Sequence, residues 1–329
     1  MKGLGKKQIR WGILGCGKIA RKFAEDLARV SDCELYAVGS RTQEKAQQFA
    51  KDFAANKAFG SYEDLATCKE IDAIYIATPH CFHKENSILC LRNKKAVLCE
   101  KPFAMNLEEV AEMIAVAQQN DVLLMEALWT YFLPHYEHLL KLIHTEKYGK
   151  ILSLKADFGF YTPYDLNNRV FRKEVGGGSL LDIGIYPIFA ALSTLGNPDS
   201  IEAKATFFEN GADSSCEVIF HYKQATALLR STLLEVTPTE AVFICENGSI
   251  TLNSRFHQPS SIAIESNGTK ELLEFPTNRI GYAYEIEHFN QLLREGKKES
   301  DVMSYGFSEQ LIKTLDQVRA LIGLTYDSL

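Results

Sequence analysis

Two short stretches carry side chains whose types and spacing can move a proton. In "VLCEKP", residues 97–102, an apolar run ends in Glu100, Lys101 and Pro102. Proline cannot continue a central ladder and restricts the residue before it, so the Lys101 ammonium is presented from stiff backbone and can reach a bound ligand, with Glu100 there to orient it or touch a cofactor. In "GGGSLLDIGIYPIF", residues 176–189, Asp182 and Tyr186 are four apart, and on a helix they share a face. Two polar groups in an otherwise apolar segment point into a cleft or a buried network. An ammonium beside a phenol favours its phenolate. Lys101 and Tyr186 together would therefore exchange a proton with an alcohol or carbonyl oxygen, while Asp182 holds a substrate hydroxyl or the lysine. Plainer readings exist for both: a charged pair at a strand terminus, and a tyrosine kept in a core by one hydrogen bond.

Positioning these groups requires two different kinds of domain. Apolar runs at 11–15, 34–39, 72–77, 96–99 and 122–125, with a weak one near 58–59, alternate with helical patterns at 18–29, 42–51, 80–92 and 106–119. That alternation predicts an α/β domain over residues 1–127, a mostly parallel Rossmann-type sheet covered on both faces. The carboxyl ends of "DAIYIATP" and "VLCEKP" then line one ligand crevice, bringing Thr78, Pro79 and Lys101 to the same edge. Residues 128–329 change character. Strand candidates at 150–158, 201–208, 215–222, 225–234, 240–245, 249–252, 261–265 and 270–275, with helices at 179–194, 283–295 and 306–322, predict an α+β domain with a large, mostly antiparallel open sheet. Ser179 is placed to cap the helix behind the glycine run.

"GILGCGKIA" puts Gly15 and Gly17 between the first strand and helix, with Ala20 at the third small position. Gly15 permits the tight turn and Gly17 a close backbone approach to pyrophosphate; Lys18 and Ile19 open the helix beside them and join the cofactor-binding set. The second strand ends in "GSRTQEKA", where an NAD site commonly has an acid for the ribose hydroxyls. Here Ser40 and Arg41 stand instead, with Lys45 a turn later, a fork and a donor suited to a 2′-phosphate. NADP is therefore the expected cofactor, with NAD possible. His83, after "ATPH", is expected to face the cofactor cleft or cap its helix.

Bulk properties narrow the partners. A net charge of −6 without a long basic run argues against a nucleic-acid or anionic-membrane surface. No targeting segment or membrane span is expected. Eight cysteines without closely spaced pairs read as reduced thiols of a cytoplasmic protein. His80 and His83, and His135 and His138, are each three apart but lack third and fourth ligands, so no metal is expected.

The glycine loop, "EKP" and "GGGSLLDIGIYP", supported by "EALW", "ADFGF" and "GYAYEIEHF", resemble the glucose–fructose oxidoreductase, inositol dehydrogenase and rhizopine-catabolism (Gfo/Idh/MocA) family over essentially the whole chain. Within it they are most similar to the dimeric dihydrodiol dehydrogenase and NADP-dependent D-xylose dehydrogenase branch. The resemblance implies that Lys101 is the catalytic lysine and Tyr186 the acid/base, a position where many relatives carry histidine. It further implies that Trp129, Phe158 and either Tyr282 or Tyr284 wall the substrate pocket, and that the open sheet makes a homodimer. Arg169 is a candidate for binding an anionic or polyhydroxy substrate, a surface role being its alternative. The activity implied is hydride transfer between a nicotinamide cofactor and a CH–OH or carbonyl group of a sugar, cyclic polyol or trans-diol. Rival readings are a reductase of an aldose, anhydro-sugar or dicarbonyl, a non-catalytic NADP-binding sensor or scaffold, and an enzyme that opens glycosides with NAD as an intermediary.

Overall fold

The structure is a computed structural model describing residues 8–276 and 278–326. It divides into two compact units. In the first, the chain runs β1 (Ile9–Leu14), α1 (Lys18–Leu27), β2 (Cys33–Gly39), α2 (Gln43–Phe53), β3 (Lys57–Phe59), α3 (Tyr62–Thr67), β4 (Ala73–Ile76), α4 (His83–Arg92), β5 (Ala96–Glu100), α5 (Leu107–Asn120) and β6 (Leu124–Ala127). Its six strands are ordered β3-β2-β1-β4-β5-β6, every pair parallel. The order reverses at β1 and β4, and the carboxyl ends of strands flanking such a switch point bind ligands in open α/β sheets. β4 is buried along its whole length, as a strand covered on both faces must be. The short α3 was not anticipated; its start is held by Ser61, whose hydroxyl accepts the Asp64 N–H at 3.1 Å.

The second unit contains α6 (Pro134–His144), β7 (Ile151–Gly159), α7 (Ile185–Leu195), β8 (Ser200–Phe207), β9 (Asp213–His221), β10 (Thr226–Thr232), β11 (Ala241–Cys245), β12 (Gly248–Leu252), β13 (Ile262–Ser266) and β14 (Thr269–Leu273). The eight strands are ordered β14-β13-β12-β11-β7-β10-β9-β8, antiparallel except for β7 against β10. Residues 173–195 are long and apolar enough to cross a membrane by composition, but 94% of their most apolar 18-residue window is buried as core. None of the eight cysteines, all among the described residues, forms a disulfide.

Beyond β14 come α8 (Tyr282–Glu295) and α9 (Tyr305–Ile322). The division by packing differs from a cut at 127/128: the first unit extends to Trp129 and takes back residues 279–309, which sequence order assigns to the second domain. The cause is α8, which packs on α1. Asp26, fully buried, accepts N–H groups from Ile280, Gly281 and Ala283 and so caps α8 from another helix. Phe289 packs on Trp11 with centroids 5.1 Å apart, and the Trp11 indole N–H donates to Asn290 at 3.0 Å.

Candidate active site

At the carboxyl edge of the first unit's sheet lies a cavity of about 610 Å³. Gly15, Gly17, Ser40, Arg41, Lys45, Thr78 and Pro79 all line it, so the structure brings together the turn after β1, the end of β2 and the end of β4. Gly15 has φ +98°, and a Cβ there would stand 3.0 Å from the Ala77 carbonyl oxygen, so only glycine makes this turn without strain. A Cβ on Gly17 would meet nothing within 4 Å; it would project into open space at the start of α1. The cavity thus has room for a pyrophosphate against the α1 N-terminus. Arg41 and Lys45 form no ion pair among the described residues, leaving two cations for phosphate oxygens.

The lining also includes Cys16, Thr42, Tyr62, Phe82 and Glu85, which the sequence reading did not single out. Thr42 caps α2, its hydroxyl accepting the Lys45 N–H at 3.4 Å. Burial pushes the Cys16 thiol up to about 11 despite nearby Arg21 and Lys45, so it is not a thiolate nucleophile. Burial likewise raises Tyr62, against the pull of Arg41.

Other expected cofactor residues lie off the lining. Lys18 and Ile19 sit in the exposed first turn of α1. His83 corrects its expectation: it is fully buried, with Nδ1 2.9 Å from the Pro102 carbonyl oxygen and Nε2 2.9 Å from that of Thr78. Both ring nitrogens therefore join backbone segments instead of facing the cavity. Glu100 accepts the Tyr75 hydroxyl on one oxygen and the Lys101 N–H on the other, at 3.2 Å, fixing the backbone from which Lys101 projects. Lys101 is half-buried. Trp129 and Tyr282 stack at 4.4 Å, both in this unit. Tyr284 instead lies under Arg279, so Tyr282 is the tyrosine placed with Trp129.

In the second unit Tyr186 is in the first turn of α7 and 6% exposed, with the Phe158 ring 5.7 Å away. A third ring, missed by the sequence reading, completes the group: His257 stacks on Phe158 at 4.2 Å and lies 4.9 Å from Tyr186. Asp182 lies in a π-helical turn, Leu180–Gly184, ahead of α7, so its four-residue spacing to Tyr186 spans a change of helix type and is not the ordinary α-helical one. Arg169 Nη2 donates to Asp182 Oδ1 at 2.5 Å. The arginine therefore orients the carboxylate as a charge-assisted pair, which the sequence spacing did not suggest.

Ser179 also departs from expectation. Asp213 of β9 accepts both the Leu180 N–H, at 2.7 Å, and the Ser179 hydroxyl, at 2.6 Å. The helix start is capped from a strand, and the serine supports the cap. Burial raises Asp213 to about 6 while these bonds favour its anion. Among the described residues no group of three or more His, Cys, Asp or Glu is placed to hold a metal ion.

The switch-point cavity on a parallel sheet defines a dinucleotide-binding domain. Residues 9–128 match the oxidoreductase family with an NAD-binding Rossmann fold named GFO_IDH_MocA, and residues 136–251 match the GFO/IDH/MocA C-terminal domain. The chain belongs to this family and is an NAD(P)-linked oxidoreductase. It is 37% identical to trans-1,2-dihydrobenzene-1,2-diol dehydrogenase of Xenopus tropicalis, over 96% of this chain and 99% of that one. It is 34% identical to the NADP(+)-dependent scyllo-inositol 2-dehydrogenase IolU of Bacillus subtilis, over 97% and 98%. Among solved structures it resembles a 3-ketoreductase from Actinomadura kijaniata in complex with NADP and TDP-benzene, with a TM-score of 0.86, 27% identity, and coverage of 96% of this chain and 98% of that one.

Proposed function

We propose that this oxidoreductase uses NADP in preference to NAD and acts on a secondary hydroxyl, or the corresponding carbonyl, of a cyclic polyol, sugar or trans-diol. The observation that carries the cofactor preference is the end of β2, where Ser40, Arg41 and Lys45 line the cavity and no acid stands for a ribose 2′-hydroxyl. Bound there, the nicotinamide supplies the hydride chemistry.

The protein's part is proton movement and orientation. Tyr186 takes or returns the hydroxyl proton, Lys101 supplies a positive charge for that exchange, and Asp182, steadied by Arg169, accepts a hydrogen bond from a neighbouring substrate hydroxyl. Trp129 stacked with Tyr282 in the first unit, and Phe158 in the second, are the apolar surfaces each unit offers to ring carbons. The relatives support this range: a diol dehydrogenase, an inositol dehydrogenase and a ketoreductase with NADP. The direction follows the cellular cofactor ratio, with the same residues serving reduction. Leu228 and Ile244, both more than 40% exposed on the sheet face turned from α7, support a homodimer through that face. Eight cysteines without a disulfide support a cytoplasmic location.

A scan of cyclitols, aldoses, trans-diols and dicarbonyls against NADP(H) and NAD(H), followed by nicotinamide absorbance, tests this. Turnover with at least one of them is expected, with Lys101→Ala and Tyr186→Phe each lowering kcat about 10²–10⁴-fold. Arg41→Ser should erode the NADP preference about tenfold or more. No turnover in either direction, or full activity without Lys101, refutes the assignment.

A further inference from the structure

The peptide group joining Pro102 and Phe103 is held at both ends by buried side chains. Its carbonyl oxygen lies 2.9 Å from His83 Nδ1, and its N–H donates to Glu126 Oε1 at 3.0 Å. His83 is 0% exposed and Glu126 2%. Glu126 comes from β6, where it pairs in register with Cys99 of β5, two residues ahead of Lys101. The other ring nitrogen of His83 reaches the carbonyl oxygen of Thr78, a residue that lines the dinucleotide cavity. One continuous path thus runs from the cavity wall through an imidazole, a peptide and a carboxylate, and the residue it brackets most closely is Lys101.

The chemistry of the path is directional. A carbonyl oxygen only accepts, so each His83 contact calls for a ring N–H, and the imidazolium satisfies both at once where a neutral ring satisfies one. A ring N–H on the oxygen and a carboxyl oxygen on the N–H of one peptide polarise it in the same sense, strengthening both bonds. Two buried ionisable side chains are costly to keep for packing alone.

We propose that Glu126 and His83 are the positioning residues of Lys101: they grip the Pro102–Phe103 peptide from its two ends, fix the lysine relative to the cofactor loop at Thr78, and set the field at its ammonium. This rests on the reading of Lys101 as the catalytic cation. The groups facing Glu126 are Lys101 and the Ser308 hydroxyl, which favour its anion with the Phe103 N–H, and Glu100 and the buried Cys99 thiol, which oppose a second negative charge. Burial is the largest influence and brings the Glu126 carboxyl up to about 7, so its charge changes near neutral pH.

Glu126→Gln is the test, since the carboxamide keeps an acceptor for the Phe103 N–H and removes the charge. In the full-length protein, kcat of the wild type should show an inflection near pH 7 that the variant lacks. At pH 8 the variant's kcat should fall about tenfold with KM within about twofold. In protein carrying ¹⁵N-labelled lysine, the Lys101 Nζ resonance, assigned with Lys101→Ala, should lose its proton at lower pH in the variant. If Glu126→Gln does not fold, His83→Gln addresses the same peptide from its oxygen end and should give the same fall in kcat at unchanged KM. An unchanged inflection together with an unmoved Lys101 titration overturns the proposal. A fully active Lys101→Ala enzyme overturns it differently, by removing the catalytic reading, and the Lys101 titration then shows whether the electrostatic link survives that loss.

Discussion

Each unit has a glycine-rich turn leading into a helix, and the two turns use glycine for opposite ends. At Gly17 in the first unit, a Cβ would touch nothing within 4 Å. At Gly178 in the second, φ is +133° and a Cβ would sit 2.0 Å from Asp213 Oδ1. One glycine leaves space for a ligand; the other closes the backbone onto a buried cap. The same letter in two similar-looking loops therefore marks open space in one case and a closed backbone in the other, and only the surroundings of the missing Cβ tell them apart.

Gly178→Ala attacks the folding use and carries the largest expected effect. The added methyl must displace the carboxylate that holds Leu180 N–H and Ser179 Oγ, and it must do so from a backbone conformation that L residues rarely adopt. Overpacking and backbone strain are each worth about 1–3 kcal/mol, so a loss of about 3 kcal/mol or more is expected in denaturant unfolding. A variant as stable as the wild type would mean that Asp213 is not the cap of this helix.

Gly17→Ala sharpens the contrast. Its φ of −88° is open to any residue and nothing in the protein opposes the methyl, so stability should change by less than about 0.5 kcal/mol. NADP affinity, measured by fluorescence titration, should nevertheless fall about 10–100-fold because the methyl occupies the approach to the pyrophosphate. Equal affinity would place the dinucleotide elsewhere in the cavity.

The same contrast explains what was legible in the sequence. Strands β7 to β14 and the βα series could be read because side-chain periodicity is local, and Gly15, Arg41 and Thr78 could be placed because strand ends in a parallel sheet share an edge. Features made by distant partners were not legible. Nothing near Ser179 announces that Asp213 supplies its cap, and nothing near His257 announces Phe158 and Tyr186 as its ring neighbours. The return of residues 279–309 to the first unit depends on Asp26, on Trp11 and on Phe23, whose ring lies 6.1 Å from that of Tyr282, all from the other end of the chain. Helix α3 escaped notice because six residues give too little periodicity. The π-helical turn at 180–184 has the composition of an ordinary apolar helix, so the orientation of Asp182 relative to Tyr186 could not be read from spacing.

The last prediction concerns a buried polar group that the first unit leaves unpaired among the described residues. Glu285 on α8 is fully buried, and neither carboxyl oxygen has a hydrogen-bond partner among the described residues. Burial, reinforced by the charges of Glu100 and Asp26, holds its proton well above the ordinary carboxylate range. A raised folded-state value fixes the sign of the linkage. Below about pH 4.5 the carboxyl is protonated in both states and its contribution is intact; as pH rises, the unfolded chain ionises first, and stability declines until the folded carboxyl also gives up its proton. Glu285→Gln removes that decline, so the variant should match the wild type near pH 4.5 and gain on it steadily toward pH 8. The partner-poor site costs the neutral carboxyl and the carboxamide alike, so the gain is set by the linkage slope, at most about 1.4 kcal/mol per pH unit. Urea midpoints of both proteins measured across that range would show it. A difference that stays flat with pH would mean that Glu285 is already ionised in the folded protein and that the three neighbouring carboxyls of this unit, Asp26, Glu100 and Glu285, all carry charge together.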